Sequence, residues 1–191
     1  MDFFLDLDRQ LFLIINGCHT PFLDGIMFWL SDKYIWIPLY VILLTFLIKE
    51  NRRHWWLVLI AVALLVTLTD QVSVKLFKDV FTRLRPCHDP LLTGFARVLN
   101  GHCGGAYGFV SSHAANTFGL AVFVGLLLKL RFKWMLWALV LWAAMISYSR
   151  VYLGVHFPGD VLVGGMVGAV IGYGVYRGFL LLRDSIENGY S

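Results

Sequence analysis

Residues 149–160 read Ser149-Arg150-Val151-Tyr152-Leu153-Gly154-Val155-His156-Phe157-Pro158-Gly159-Asp160, between two long apolar runs. One short connection thus holds an arginine, a histidine and an aspartate. Pro158 suits the first turn of a new helix, which brings Asp160 back within reach of His156. A carboxylate on one imidazole nitrogen fixes the tautomer and leaves the other nitrogen free to act as base or nucleophile. Arg150 adds a fork of donors matched to phosphate. The chemistry this implies is capture of an anionic phosphoryl group and attack on it.

Two further clusters offer complementary groups. Lys78-Asp79-Val80-Phe81-Thr82-Arg83-Leu84-Arg85-Pro86 supplies cations, and Val110-Ser111-Ser112-His113 stands directly before another apolar run. Each has a plain structural reading when taken alone. Lys78 and Arg85 are residue types that snorkel at a membrane edge. Ser111, Ser112 and His113 resemble a polar helix cap, and His156 with Asp160 a structural pair. What favours chemistry is their arrangement around the apolar runs. The clusters fall at the end of the second, the start of the third, the end of the fourth and the start of the fifth.

Those runs are the elements that must position the site. Hydrophobic residues make up 59% of the 191 and charged residues 15%, well below the quarter usual in soluble domains. The expected fold class is therefore all-α, a polytopic membrane helix bundle. It would have about five to six transmembrane helices plus an N-terminal amphipathic helix. Crossings are expected over 34–48, 55–77, 114–130, 134–148 and 161–182, with 22–30 as a short dipping or interfacial helix and 78–110 as a long loop. No internal repeat or linker divides the chain, so 1–191 reads as a single membrane-embedded domain. Phe4, Leu7, Leu11 and Ile14 keep helical spacing, which fits either a helix on the membrane surface or a core helix. Its start lacks a basic leader and a small-residue cleavage site, so no cleaved signal is expected. Gly164, Gly168 and Gly172 recur every fourth residue, a seam for close packing against a helix of this chain or of a second copy.

Charge distribution sets the expected orientation. Lys49, Arg52, Arg53 and His54 lie between the first two spans, Lys129, Arg131 and Lys133 between the third and fourth, and Arg177 and Arg183 near the end. Alternation puts these on one face, which the positive-inside rule assigns to the cytoplasm. All three chemistry-bearing clusters then face the extracytoplasmic side of what would be an inner membrane in a bacterium. Basic residues do not interleave with aromatics in any run, so nucleic acid is not an expected partner. The expected partners are a phosphorylated membrane lipid and the bilayer itself, and oligomeric state is left open.

The three clusters resemble the signature motifs of the type 2 phosphatidic acid phosphatase family, the lipid phosphate phosphatases that share a site with vanadium haloperoxidases. Lys-x6-Arg-Pro matches at Lys78, Arg85 and Pro86, and Ser-Arg-x5-His-x3-Asp matches at Ser149, Arg150, His156 and Asp160. Pro-Ser-Gly-His is degenerate, with Val110 for proline and Ser112 for glycine, while Ser111 and His113 are kept. The resemblance covers residues 70–170. It implies that His156 attacks phosphorus to form a phosphohistidine, that Asp160 orients it, and that His113 protonates the leaving oxygen. Lys78, Arg85 and Arg150, with Ser111, Ser112 and the α-helical amides there, would bind the phosphate. Three fixed cations would serve where other phosphatases use a divalent metal, so no metal or other cofactor is expected. The implied substrate is a lipid phosphomonoester or pyrophosphate. In a bacterium this would be undecaprenyl pyrophosphate, phosphatidylglycerophosphate or a lipid A phosphate. A lipid phosphotransferase using the same phosphohistidine, or a non-enzymatic phospholipid-binding or transport protein, are the alternatives. A haloperoxidase does not need five membrane spans.

Cys87 follows Pro86, and Cys103 lies in the same outward loop. An oxidising compartment would let them pair and pin the segment carrying Arg85, or they are two unrelated thiols. His88 and His102 share the loop without a motif to assign them a task.

Overall fold

The computed structural model describes residues 2–101 and 103–189, so His102 lies outside the described residues. Helices dominate, and among the described residues the only β pairing is an isolated antiparallel bridge between Leu84 and Tyr107. Helices α1 (Asp2–Gly17) and α2 (Pro21–Ser31) meet at a bend of 117°. Thr20 starts α2 by accepting from the Leu23 amide at 3.2 Å, and Pro21 follows at the first helical position. Asp32 likewise accepts from Tyr34 N at 2.9 Å and opens a 3-10 turn, Lys33–Trp36, that leads into α3 (Ile37–Glu50).

The expected second crossing is longer than its hydropathy suggests. Helix α4 (Trp55–Gln71) passes without a break through a π-helical stretch, Val72–Lys78, into the short α5 (Asp79–Phe81). Together they form a helical span over Arg52–Phe81, which stops where Thr82 adopts a left-handed φ of 44°. The expected loop therefore begins at Thr82, and Lys78 is a helical residue. Its ladder carries the helix past the point where its composition turns polar.

Helices α6 (Ser112–Leu128), α7 (Met135–Tyr152) and α8 (Pro158–Gly189) complete the bundle. The fourth crossing, expected to stop at 148, continues for another turn and makes Arg150 a helical residue. Gly154, at φ +82°, then turns the chain. A Cβ there would collide with the Arg97 carbonyl, so the turn needs glycine on both counts. Helix α6 sits at the centre, against α4, α7 and α8. Leu65, Phe123, Val124, Leu128, Trp142 and Phe179 are among the side chains buried around it.

The glycine seam of α8 faces α6 of the same chain. A Cβ on Gly164 would come within 2.7 Å of the Ser111 carbonyl, and those on Gly168 and Gly172 would strike the Ala115 and Gly119 carbonyls. Backbone-to-backbone approach at three successive turns fixes how α6 and α8 register.

Outward-facing Trp137, Leu162 and Val170 are 73%, 66% and 71% exposed, a surface suited to lipid rather than water. Among the described residues, three helices are long and apolar enough to cross a bilayer, Arg52–Phe81, Met135–Tyr152 and Pro158–Asn188. The bent α1–α2 pair would make a fourth, and α6 is a shorter apolar helix. Helix α1 combines both of the readings open to it. Phe12 is fully buried with Leu92, Val151 and Phe157, whereas Phe3 and Phe4 are exposed. At one end of the bundle Arg131 lies 4.0 Å from Glu50 and His54 3.6 Å from Glu187, which gathers both basic loops beside the end of α8. The three chemistry-bearing clusters meet at the other end.

Candidate active site

Motif residues far apart in sequence converge through direct contacts. Lys78 Nζ donates to Ser112 Oγ at 2.8 Å, and Ser73 Oγ lies 2.7 Å from the same oxygen. Ser73 and Lys78 are five residues apart, and the π-helical repeat between them is what puts both on the α6 side. Arg85 extends its guanidinium to the third cluster. NH1 donates to the Val155 carbonyl at 3.2 Å and lies 3.3 Å from His156 Nε2. Because a guanidinium only donates, Nε2 must be the acceptor, which assigns the ring proton to Nδ1. The nitrogen carrying the lone pair thus faces the cations.

Nδ1 is 3.4 Å from Asp160 Oδ2 but is not aligned as a hydrogen bond. Other donors hold the carboxylate. Oδ2 accepts from the Phe157 amide at 2.9 Å, the reach-back of a residue in the first turn of a helix to the amide before it. Oδ1 accepts from Arg83 at 3.0 Å. The Asp160 carbonyl in turn accepts from Ser111 N at 3.0 Å, which ties the second cluster to the third.

His113 lies in the first turn of α6, near His156 and the cations Arg150, Arg85 and Lys78. Arg150 donates to Ser31 Oγ from the last turn of α7. Its Nε and that of Arg85 are buried without a hydrogen-bond partner among the described residues. Unpaired, desolvated guanidinium nitrogens are costly in a finished core, and their donors are of the type that suits an anion. Ser111 is fully buried and caps α6, its Oγ 3.5 Å from the Ala114 amide. Ser149 is also buried and bonds the Ile146 carbonyl at 2.7 Å. Of the two serines expected to bind phosphate, Ser112 therefore has its hydroxyl among the cations, and Ser111 acts on the helix start.

Electrostatics favour a neutral His156 ring. Burial pushes the His156 ring well below the ordinary histidine value, and Arg85, Arg150 and Lys78 add to the shift. Burial also lowers Arg85, against the pull of Asp160. An unprotonated Nε2 beside three cations is arranged to attack an electrophile that carries negative charge. The cations offset the repulsion between that charge and the incoming lone pair.

Cys87 and Cys103 are joined as a disulfide, with Cα atoms 6.2 Å apart, and Cys18 is free and exposed. His88 brings a ring nitrogen within 4.8 Å of both sulfurs. With the sulfurs bonded to each other, the cluster keeps one good metal ligand. Sequence reasoning passed over Arg83, Ser73 and Ser31. Arg83 stands inside the first motif, but the spacing rule assigns no role to that position. Ser73 and Ser31 carry no sequence signal, because their partners are 39 and 119 residues away.

A family model described as the PAP2 superfamily matches residues 55–183. The chain is 37% identical over 186 residues to a lipid A 4′-phosphatase of Porphyromonas gingivalis, covering 96% of this chain and 78% of that one. It is 39% identical over 180 residues to a lipid A 4′-phosphatase of Bacteroides thetaiotaomicron, covering 92% and 78%. A crystal structure of a transmembrane PAP2 type phosphatidylglycerolphosphate phosphatase from Bacillus subtilis shares the fold, with a TM-score of 0.74. The match covers 94% of this chain and 87% of that one at 23% identity.

Proposed function

The chain belongs to the PAP2 superfamily and is a membrane lipid phosphatase, and from that premise we propose that it removes the 4′-phosphate of a lipid A-type glycolipid through a phosphohistidine at His156. The observation that carries the mechanism is the placement of His156 Nε2, 3.3 Å from Arg85 NH1 with Asp160 behind the other ring nitrogen. Identity to two lipid A 4′-phosphatases over more than nine-tenths of the chain supports the substrate class.

In the first step the Nε2 lone pair forms a bond to phosphorus as the ester P–O bond breaks. His113, protonated once the negative charge of the bound phosphate offsets the cations around it, gives its proton to the departing sugar oxygen, which is a poor leaving group as an alkoxide. Lys78, Arg85 and Arg150 stabilise the equatorial oxygens, where phosphoryl transfer concentrates negative charge. The amides of Ser112 and His113 add the partial positive charge of a helix N-terminus. In the second step His113, now neutral, takes a proton from water. The resulting hydroxide attacks phosphorus, the P–N bond breaks and orthophosphate leaves.

The whole chain acts as one membrane-embedded domain. The site faces the extracytoplasmic side, a reading supported by the basic loops at the opposite end and the positive-inside rule. The test is phosphate release by purified protein in mixed micelles across a panel of lipid A, undecaprenyl pyrophosphate and phosphatidylglycerophosphate. Selective dephosphorylation of lipid A at the 4′ position, read by mass spectrometry, is expected. Preference for either of the other lipids would overturn the substrate assignment.

A further inference from the structure

Arg83 lies between two carboxylates from opposite ends of the chain. Its NH1 donates to Asp160 Oδ1 at 3.0 Å and its NH2 to Asp8 Oδ2 at 2.7 Å. The guanidinium carbon sits 4.2 Å from the centre of the Phe157 ring, so the planar fork is held on its face as well as along its edge. Asp8 belongs to α1, which is outside the residues matched by the family model. Its second oxygen, Oδ1, accepts from the Gly159 amide at 2.7 Å. That amide is in the first turn of α8, beside Asp160 itself. One carboxylate of α1 thus grips both the arginine that holds Asp160 and the backbone that carries it.

The lack of a side chain at residue 159 leaves room for this contact. A Cβ there would come within 2.8 Å of Asp8 Oδ2. The side chains of Asp8 and Arg83 are 13% and 20% exposed, and that of Asp160 is fully buried. The chain of charges therefore runs inward from the rim to the catalytic pair. An arginine bound to Asp160 alone would keep several rotamers open, whereas two carboxylates on two different nitrogens leave one.

We propose that Asp8 and Arg83 are positioning residues that hold the Asp160 carboxylate in register with His156. Asp8 fixes the guanidinium, Arg83 occupies Oδ1, and Oδ2 is left facing the Phe157 amide and His156 Nδ1. The assignment rests on His156 being the nucleophile. It makes the N-terminal helix part of the catalytic apparatus.

The experiment compares kcat, KM and the thermal unfolding midpoint of full-length protein for Asp8→Asn, Asp8→Glu, Gly159→Ala and Arg83→Gln, with His156→Ala alongside. Asp8→Asn is expected to lower kcat about tenfold with KM changed less than about twofold. Asp8→Glu restores most of the loss. Gly159→Ala keeps every charge but displaces the Asp8 carboxylate, and it reproduces the Asp8→Asn defect. Adding Asp8→Asn to Arg83→Gln costs less than about a further twofold, because both act through one contact. A helix that merely anchored the fold would lower the unfolding midpoint and would give the same fold-loss in both backgrounds. Wild-type kcat in Asp8→Asn, or equal losses in the two backgrounds, overturns the proposal. If Asp8→Asn does not fold, Gly159→Ala decides alone, and wild-type turnover there overturns it. Turnover by His156→Ala would instead refute the nucleophile assignment, so the two failures are distinguishable.

Discussion

Replacing Gly168 by alanine tests whether the contact between α6 and α8 sets the catalytic geometry. The new Cβ would strike the Ala115 carbonyl, a backbone atom that cannot rotate away. Restoring an ordinary contact requires the helices to part by roughly 1–1.5 Å. The change gains about 1 kcal/mol in helix propensity. It costs about 1–3 kcal/mol in overpacking, so net destabilisation stays near or below about 2 kcal/mol. The catalytic consequence is larger. Helix α6 carries Ser112 and His113 and α8 carries Asp160, and a 1 Å misplacement of reacting groups costs about 10²-fold in rate. Phosphate release and thermal unfolding, measured on one preparation, should show turnover falling at least about tenfold with only a modest loss of stability. Gly174→Ala, on the same helix with nothing within 4 Å of its added Cβ, should leave turnover unchanged. Wild-type turnover in Gly168→Ala would show that the seam does not hold the site.

Other outcomes follow from the site itself. On the proposed mechanism the neutral His156 ring attacks, and burial beside Arg85, Arg150 and Lys78 holds its pKa down, so activity should persist as pH falls through the ordinary histidine range. The acid limb of kcat/KM, corrected for the ionisation of the phosphate ester, should lie below about pH 6.5, and a limb at or above that value contradicts the assignment. If Lys78, Arg85 and Arg150 carry the charge stabilisation as proposed, turnover should survive saturating chelator, whereas loss restored by one divalent cation would assign that role to a metal. The Cys87–Cys103 bridge closes a loop with a sequence separation of 16, a length for which a disulfide contributes about 3 kcal/mol. The double Cys87→Ser, Cys103→Ser variant should therefore inactivate at lower temperature, and unchanged inactivation would mean that the bridge does not support the segment carrying Arg85.

Much of this was legible in the sequence because the chemistry resides in spaced motifs and the fold in apolar runs. Lys78, Arg85, His113, Arg150, His156 and Asp160 could be named from residue type and interval, and they meet at one end of the bundle. Helix ends were harder to read. Hydropathy marks where lipid contact stops, whereas hydrogen bonding carries α4 through Lys78 and α7 through Arg150 after the composition has turned polar. The glycine spacing of α8 announced a close approach, but spacing does not say to what. Only the fold shows that the partner is the backbone of α6. Least legible were the supports of the site. Asp8, Ser31 and Arg83 act through partners between 75 and 119 residues away, and nothing in their local sequence distinguishes them from ordinary membrane-edge polar groups. The expected His156–Asp160 hydrogen bond illustrates the same limit. Spacing brings the two within 3.4 Å, but Arg83 and the Phe157 amide determine where the carboxylate points.

The most direct test of the mechanism is to quench the enzyme during turnover on phosphate-labelled lipid and locate the label by peptide mapping under conditions that spare phosphoramidates. An acid-labile, base-stable phosphoryl group on the peptide containing His156, absent from His156→Ala, which should also release no phosphate, is the predicted result. Label on any other residue, or normal phosphate release by His156→Ala, would contradict it.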